Sequence, residues 1–146
     1  MSLLTGFGSE ADYVDALLEE FSDRLPDTRE FTIQNRVVLI QSSNRVALDI
    51  VLAGFPYEER MIEHATPFVY AEDVELITAS AEDLVILKAF AGRHQDWSDV
   101  EGIAVRQGTT LDWDSISREL ESLSEVASNP DMFDQLDRVR RNALDC

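Results

Sequence analysis

Apolar residues follow a β-type pattern in one part of the chain, where two runs rich in valine, isoleucine and leucine lie close together. Residues 31–41 and 45–53 form these runs, and the polar pair Ser43-Asn44 separates them. Two β-type runs around a short polar turn predict a β-hairpin. Residues 74–78 form a further candidate strand.

Segments with apolar residues at helical spacing precede and follow the predicted hairpin in the sequence. Residues 9–25 predict a helix with Ser9 as its N-cap, and residues 57–65 predict a short one. From the first helix, the side chains expected to face inward are Tyr13, Ala16, Leu17 and Phe21.

The second half of the chain is predicted to be helical. Ser80 and Asp83 form a Ser-x-x-Asp start signal for a helix that ends at Gly92. Three more helices are expected from Asp96 to Gly108, from Asp112 onward and from Asn129-Pro130 onward. Strands followed by helices predict the α+β class: a small mixed sheet with a β-hairpin, then a helical C-terminal subdomain.

Length and charge narrow the possible functions. The chain has 146 residues, and we predict one domain with a sheet part over about residues 1–79 and a helical part over about residues 80–146. With 12 basic and 29 acidic residues the net charge is −17, which disfavours binding to nucleic acids or anionic membranes by bulk charge. No apolar run approaches the roughly 20 residues that span a bilayer. The single cysteine, Cys146, fits a reducing cytoplasm, where we expect the protein to be located.

Asp49 is an unusual residue for its position in the predicted second strand. Alternation places Val46, Leu48, Ile50 and Leu52 on the core face and Asp49 on the opposite face. Aspartate is depleted in strands, so its presence has two interpretations. It is either a solvent-facing side chain or a ligand for Mg²⁺, which prefers carboxylate oxygens on a rigid element.

Lys88 is the only lysine in the chain and lies in a helix that is apolar on every side. An ammonium group there must reach solvent, pair with a carboxylate or bind an anionic ligand such as a phosphate. Arg93, Asp96 and Asp99 follow within eleven positions, which places two cations and two carboxylates around one helix–helix corner. Asp96 and Asp99 also fit an N-cap followed by an acidic residue in the first helical turn.

The order of these features resembles the small nucleotidyltransferase-fold proteins of the polymerase-β-like superfamily, in particular uncharacterised bacterial and abortive-infection-toxin-like groups. The resemblance covers about residues 5–136 and is most specific over residues 78–100. That segment contains Ser-Ala-Glu-Asp-Leu-Val-Ile-Leu-Lys-Ala-Phe-Ala-Gly-Arg and then Asp-Trp-Ser-Asp-Val. It follows a strand hairpin with a lone aspartate and a Gly-x-Pro-Tyr-Glu-Glu segment.

The resemblance implies a function and roles for individual residues. It implies Mg²⁺-dependent transfer of a nucleoside monophosphate from a nucleoside triphosphate (NTP) to an acceptor hydroxyl. Asp49 corresponds to the third catalytic carboxylate and metal ligand, whereas Lys88 and Arg93 correspond to nucleotide-binding residues. Asp96 and Asp99 complete the Arg…Asp-x-x-Asp segment in a supporting role.

The family's Gly-Ser…Asp-x-Asp signature, which holds the metals, has no counterpart here. Gly8-Ser9 is followed by Asp12 and Asp15 at helical spacing on a predicted helix. The resemblance therefore predicts a chain that begins inside the domain and is catalytically incomplete. Two alternatives stay open: a non-catalytic module that pairs with a partner protein or with itself through an exposed sheet edge, and an acidic mimic that occupies a basic surface.

Overall fold

The chain divides into two units, Met1–Glu63 and His64–Cys146. The computed structural model describes residues 1–124 and 131–144. The predicted α+β class is confirmed, because a small mixed sheet occupies the first unit and helices fill most of the second. The predicted single domain with a division near residue 79 stays a prediction.

The first unit is a four-stranded mixed sheet with three helices. The elements in chain order are β1 (Ser2–Leu4), α1 (Glu10–Glu20), β2 (Ser22–Asp23), α2 (Thr28–Asn35), β3 (Val37–Gln41), β4 (Ala47–Ala53) and α3 (Pro56–Glu63). The strands have the spatial order β1-β4-β3-β2, in which β1 runs parallel to β4 and the other neighbours are antiparallel. Both edge strands are short, which leaves little backbone for pairing with another chain.

The predicted hairpin is confirmed as β3 and β4, whose register places Leu39 opposite Asp49. Ile50 and Leu52 are buried and Asp49 is exposed, as the alternation predicts. Val46 is exposed, so its assignment to the core face was wrong. The reason is that the strand begins one residue later, and Val46 belongs to the turn.

Residues 31–35 were predicted as strand and are helical instead, because they form most of α2. The hydroxyl of buried Thr32 donates to the carbonyl oxygen of Thr28 at 2.7 Å, a bond that fits a helix. Arg36 ends α2 with φ of 56°, a left-handed conformation that lets the chain leave the helix and enter β3 at Val37.

The inward face of α1 differs from the predicted one. Val14 is fully buried and packs with Leu17, Leu18 and Phe21, whereas Tyr13 and Ala16 are exposed. Positions 14, 17, 18 and 21 match the i, i+3, i+4, i+7 pattern better than the predicted set does. Ser9 is the N-cap as predicted, but its hydroxyl donates to the carbonyl oxygen of Thr5 rather than accepting from the helix.

The second unit contains a two-stranded hairpin followed by helices. Its elements are β5 (Thr66–Ala71), β6 (Val74–Thr78), α4 (Ala81–Ala91), α5 (His94–Gln107), a short 3-10 helix (Gly108–Thr110), α6 (Trp113–Leu123) and α7 (Met132–Leu144). Strand β6 was predicted and β5 was not. Helix α4 packs on α5 and α6, and their buried side chains include Val85, Val100 and Ile116.

Most of the predicted helix boundaries in this unit are confirmed. Ser80 and Asp83 form a capping box at the start of α4, and Gly92 ends it in the left-handed conformation. Helix α5 starts at His94 rather than Asp96, because Arg93 is the N-cap and Asp96 occupies the first turn. Asn129-Pro130 and Cys146 lie outside the described residues. Within residues 1–124 and 131–144, no helix has the length and apolar character that crossing a membrane requires.

Candidate functional site

Four charged side chains meet where α4 ends and α5 begins, and they define the α4–α5 corner: Lys88, Arg93, Asp96 and Asp99. Lys88 lies in the last turn of α4, and Gly92 then turns the chain so that Arg93 caps α5. Asp96 and Asp99 are one turn apart on α5 and face the same neighbour. The structure thus brings together four of the five predicted site residues.

The corner is held by a short network of charge-assisted hydrogen bonds. Lys88 Nζ donates to Asp99 Oδ2 at 2.7 Å and to Asp96 Oδ1 at 3.1 Å. Arg93 Nε donates to Asp96 Oδ2 at 2.6 Å, and Arg93 Nη2 donates to Asp96 Oδ1 at 3.3 Å. Asp96 therefore binds both cations, and the Arg93 backbone N–H also donates to it.

Burial separates the roles of these side chains. Asp96 is 2% exposed, whereas the side chains of Lys88 and Asp99 are 35% and 39% exposed and that of Arg93 is 77% exposed. A buried carboxylate is stable only when it is paired and hydrogen-bonded, and Asp96 meets both conditions. The buried carboxylate therefore anchors two cations whose outer surfaces reach solvent.

The network shifts the ionisation of all four groups. The Arg93 guanidinium, and then Lys88, hold the pKa of Asp96 below its usual 3.8, and Lys88 lowers the pKa of Asp99 in the same way. Hydrogen bonds to Asp99 and Asp96 raise the pKa of Lys88 above its usual 10.5. Asp96 raises the pKa of Arg93. Both cations and both carboxylates are thus charged at neutral pH.

The corner keeps hydrogen-bonding capacity although its formal charge sums to zero. Lysine has three N–H donors and arginine five. Within the described part of the chain, Lys88 uses two donors and the side chain of Arg93 uses two, all on carboxylates. The remaining donors can bind an oxyanion, and the planar guanidinium of Arg93 suits a phosphate in particular.

The pairing of Lys88 with carboxylates is one of the outcomes that its position in an apolar helix predicted. Its helix is not buried on every side, because Leu84 is exposed. The exposed side of α4 gives the Lys88 stem a path toward solvent.

Asp49 belongs to the first unit, on β4 between β1 and β3. Its side chain is 66% exposed and forms an ion pair with Arg24. No group of three or more His, Cys, Asp or Glu side chains is placed to hold a metal ion in residues 1–124 and 131–144. Mg²⁺ demands octahedral oxygen coordination, and one carboxylate paired with an arginine does not by itself fit that requirement.

The sequence interpretation missed Trp97, which lines an open depression of about 430 Å³ in the second unit. The depression begins at Gly92 and His94, on either side of Arg93, and includes Arg138 of α7. Among the described residues, the buried Trp97 indole N–H has no hydrogen-bond partner. The only signal in the sequence for a role of Trp97 is its position between Asp96 and Asp99.

A family model described as nucleotidyltransferase of unknown function (DUF6036) matches residues 9–140 of the chain. The chain belongs to this family. The match includes β4 with Asp49, the whole α4–α5 corner and the depression beside it. The predicted nucleotidyltransferase-like family is thereby confirmed at this level. No curated protein matches the chain.

Proposed function

We propose that this DUF6036 protein binds an NTP at the α4–α5 corner and serves the transfer of its nucleoside monophosphate. The proposal rests on the buried carboxylate of Asp96, which binds both Lys88 and Arg93. Both cationic side chains are partly exposed, and each keeps N–H groups that can donate to a ligand. Cations positioned in this way suit the phosphates of a nucleotide.

Each residue of the corner has a distinct role in this proposal. Arg93 donates two N–H groups to phosphate oxygens in the forked geometry of a guanidinium. Lys88 donates its remaining N–H, and its bond to half-exposed Asp99 can be replaced by one to the phosphate. Asp96 stays in place as the positioning residue, because its carboxylate is buried.

The depression beside Arg93 gives the rest of the nucleotide a place to bind. It is open to solvent, and His94, Ser98 and Arg138 add polar groups to its wall. Its position next to the corner supports base or ribose contacts near Trp97.

The chemistry proposed is nucleotidyl transfer as in polymerase-β-like enzymes, including the toxin-like groups. The acceptor oxygen forms a bond to the α-phosphorus, the bond to the bridging oxygen breaks so that pyrophosphate leaves, and the acceptor hydroxyl gives its proton to solvent water. The role of Asp49 as third carboxylate and metal ligand stays a prediction of the resemblance. Mg²⁺ and catalytic incompleteness are likewise predictions of the resemblance. Cytoplasmic location stays a prediction from the single cysteine.

Thermal unfolding with each of the four NTPs at millimolar concentration tests the proposal. In a Trp113→Phe background, which leaves Trp97 as the only tryptophan, binding should raise Tm by about 2–5 °C and change the fluorescence. Arg93→Ala and Lys88→Ala should remove both effects. Arg118→Ala, which removes an exposed arginine of α6, is the matched control and should keep them. Absence of a shift with all four nucleotides would exclude NTP binding at the corner.

Asp99→Asn provides a test in the opposite direction. Asp99 competes with phosphate for Lys88, so its neutralisation should tighten NTP binding by about twofold to fivefold. Titration of the fluorescence in the same Trp113→Phe background measures the change in Kd. Weaker binding in Asp99→Asn would mean that the carboxylate assists the ligand rather than competing with it.

A further inference from the structure

The hairpin of β5 and β6 carries six of the sixteen exposed large apolar side chains of the described residues. Six large apolar side chains on it are between 44% and 71% exposed: Phe68, Val69, Tyr70, Val74, Leu76 and Ile77. Single exposed apolar residues are ordinary, but a contiguous set on one short element indicates an interaction surface.

Both faces of the hairpin are apolar. Phe68 and Leu76 are direct partners in the register and share one face. Val69 and Ile77 are diagonal neighbours on the other face, and Tyr70 lies at an irregularity of the register. No single helix packed on one side could cover both sets, so a partner must reach around the hairpin or pair with its edge.

The hairpin has little support from the elements described around it. Strands β5 and β6 pair with each other, and neither has an extensive contact with another described element of the second unit. A two-stranded hairpin is marginally stable alone in water, and both of its outer edges can accept a further strand. These properties fit a hairpin that is stabilised when a partner protein binds to it.

The charge of the hairpin indicates what kind of partner binds it. Glu72, Asp73 and Glu75 lie at its turn and in β6, and the sequence has no lysine or arginine between Arg60 and Lys88. A second copy of the chain would bring the same three carboxylates and a further net charge of −17. Like charges at an interface oppose association, whereas basic groups on the partner would favour it.

We propose that the β5–β6 hairpin is the docking surface for a partner protein whose contact region is apolar and flanked by Arg and Lys. The partner covers Val69 and Ile77 with apolar side chains and places its basic groups beside Glu72, Asp73 and Glu75. This interaction is independent of NTP binding at the α4–α5 corner.

A set of short synthetic strand peptides tests this chemistry. In the first, isoleucine alternates with arginine; in the second, isoleucine alternates with glutamate; in the third, serine alternates with arginine. The full chain should bind the first, and the other two should bind at least about tenfold more weakly, because each lacks either the basic or the apolar half of the surface. Fluorescence anisotropy of labelled peptides gives the three Kd values.

Two variants locate the binding on the hairpin. Val69→Ser combined with Ile77→Ser should weaken binding of the first peptide by about tenfold. Val105→Ser is the matched control, because it removes an equally exposed valine from α5. Glu72→Lys, Asp73→Lys and Glu75→Lys together keep the apolar set and should transfer the preference to the glutamate peptide, so the test does not depend on the serine variant alone.

Three results would overturn the proposal. Equal binding of the isoleucine–arginine and serine–arginine peptides would show bulk charge attraction only. A dimer in light scattering that is strengthened by salt and lost in the Val69 and Ile77 variant would identify a second copy as the occupant. Binding of none of the peptides would exclude the apolar and basic contact surface.

Discussion

Asp96 is the residue on which the α4–α5 corner depends. Its carboxylate accepts from Lys88, from the Arg93 guanidinium and from the Arg93 backbone N–H. Removal of the charge leaves a half-buried ammonium with one partner, and the start of α5 loses part of its cap. The same carboxylate thus stabilises the fold and positions the cations.

Asp96→Asn should therefore lower the free energy of unfolding by about 2 kcal/mol, since a buried charge-assisted network is lost with little change in volume. Urea unfolding at neutral pH measures the change. Asp114→Asn is the control, because Asp114 forms an exposed ion pair with Arg140, and such pairs contribute about 0–1 kcal/mol. Equal losses in both variants would contradict the special role of Asp96.

The same residues make stability depend on pH at both ends of the scale. The pKa values of Asp96 and Asp99 are below 3.8 in the folded state, so their contribution is complete well above pH 3.8 and is lost as the pH falls through the folded values. The pKa of Lys88 is above 10.5, so its contribution is lost as the pH rises beyond that value.

We expect the difference in urea midpoint between the wild type and Asp96→Asn to be constant from about pH 6 to pH 9 and to shrink below about pH 4. Chemical unfolding at stepped pH measures it. A difference that persists unchanged at pH 3 would show that the variant loses packing rather than an ion pair.

At the scale of elements, local patterns predicted the β3–β4 hairpin and most helix boundaries of the second unit. They failed at residues 31–35, where apolar and β-branched residues suggest a strand but Thr32 bonds to the preceding helical turn. Strand β5 was missed because Pro67 and a register irregularity near Tyr70 obscure its alternation.

The α4–α5 corner could be predicted in part, because spacing alone placed its four residues together. Spacing could not show that Asp96 is buried or that it binds both cations. Those properties depend on how α4 packs against α5, and the spacing of residues within one helix does not specify that packing. Trp97 was missed for the same reason.

Arg36 connects three elements of the first unit. It ends α2 in the left-handed conformation and donates through Nε to the carbonyl oxygen of Leu52 on β4 at 2.9 Å. Its Nη2 donates to the carbonyl oxygen of Gly6, and its guanidinium forms an ion pair with Glu10 of α1. Backbone hydrogen bonds, and then the pairing with Arg36, hold the pKa of Glu10 below its usual 4.5.

Arg36→Gly should destabilise the protein by about 2 kcal/mol, although glycine suits a positive φ, because the carbonyl oxygens lose charged donors. Arg45→Gly is the matched control: Arg45 also has a positive φ, of 66°, and is exposed in a turn, so this change should be neutral or slightly stabilising. Thermal unfolding of both variants measures the contrast. Similar effects in both would mean that φ, not the Arg36 side chain, controls stability.

At the scale of the whole molecule, the net charge of −17 opposes every compact arrangement of the chain. Salt should therefore raise stability up to about 1 M sodium chloride, where the Debye length is about 3 Å. The urea midpoint measured against salt concentration tests this expectation. A decrease would show that the surface ion pairs outweigh the general repulsion.

The single lysine has a practical consequence for chemical labelling. An amine-selective acylating reagent attacks the neutral amine, and the carboxylates at the α4–α5 corner keep Lys88 protonated. Its side chain should therefore resist acylation at neutral pH and become reactive when Asp96 or Asp99 is neutralised. The α-amino group of Met1 reacts first, and Lys88 is the only side-chain amine. A second acyl group in the mass of the intact chain would therefore report on whether this ion-pair network is open.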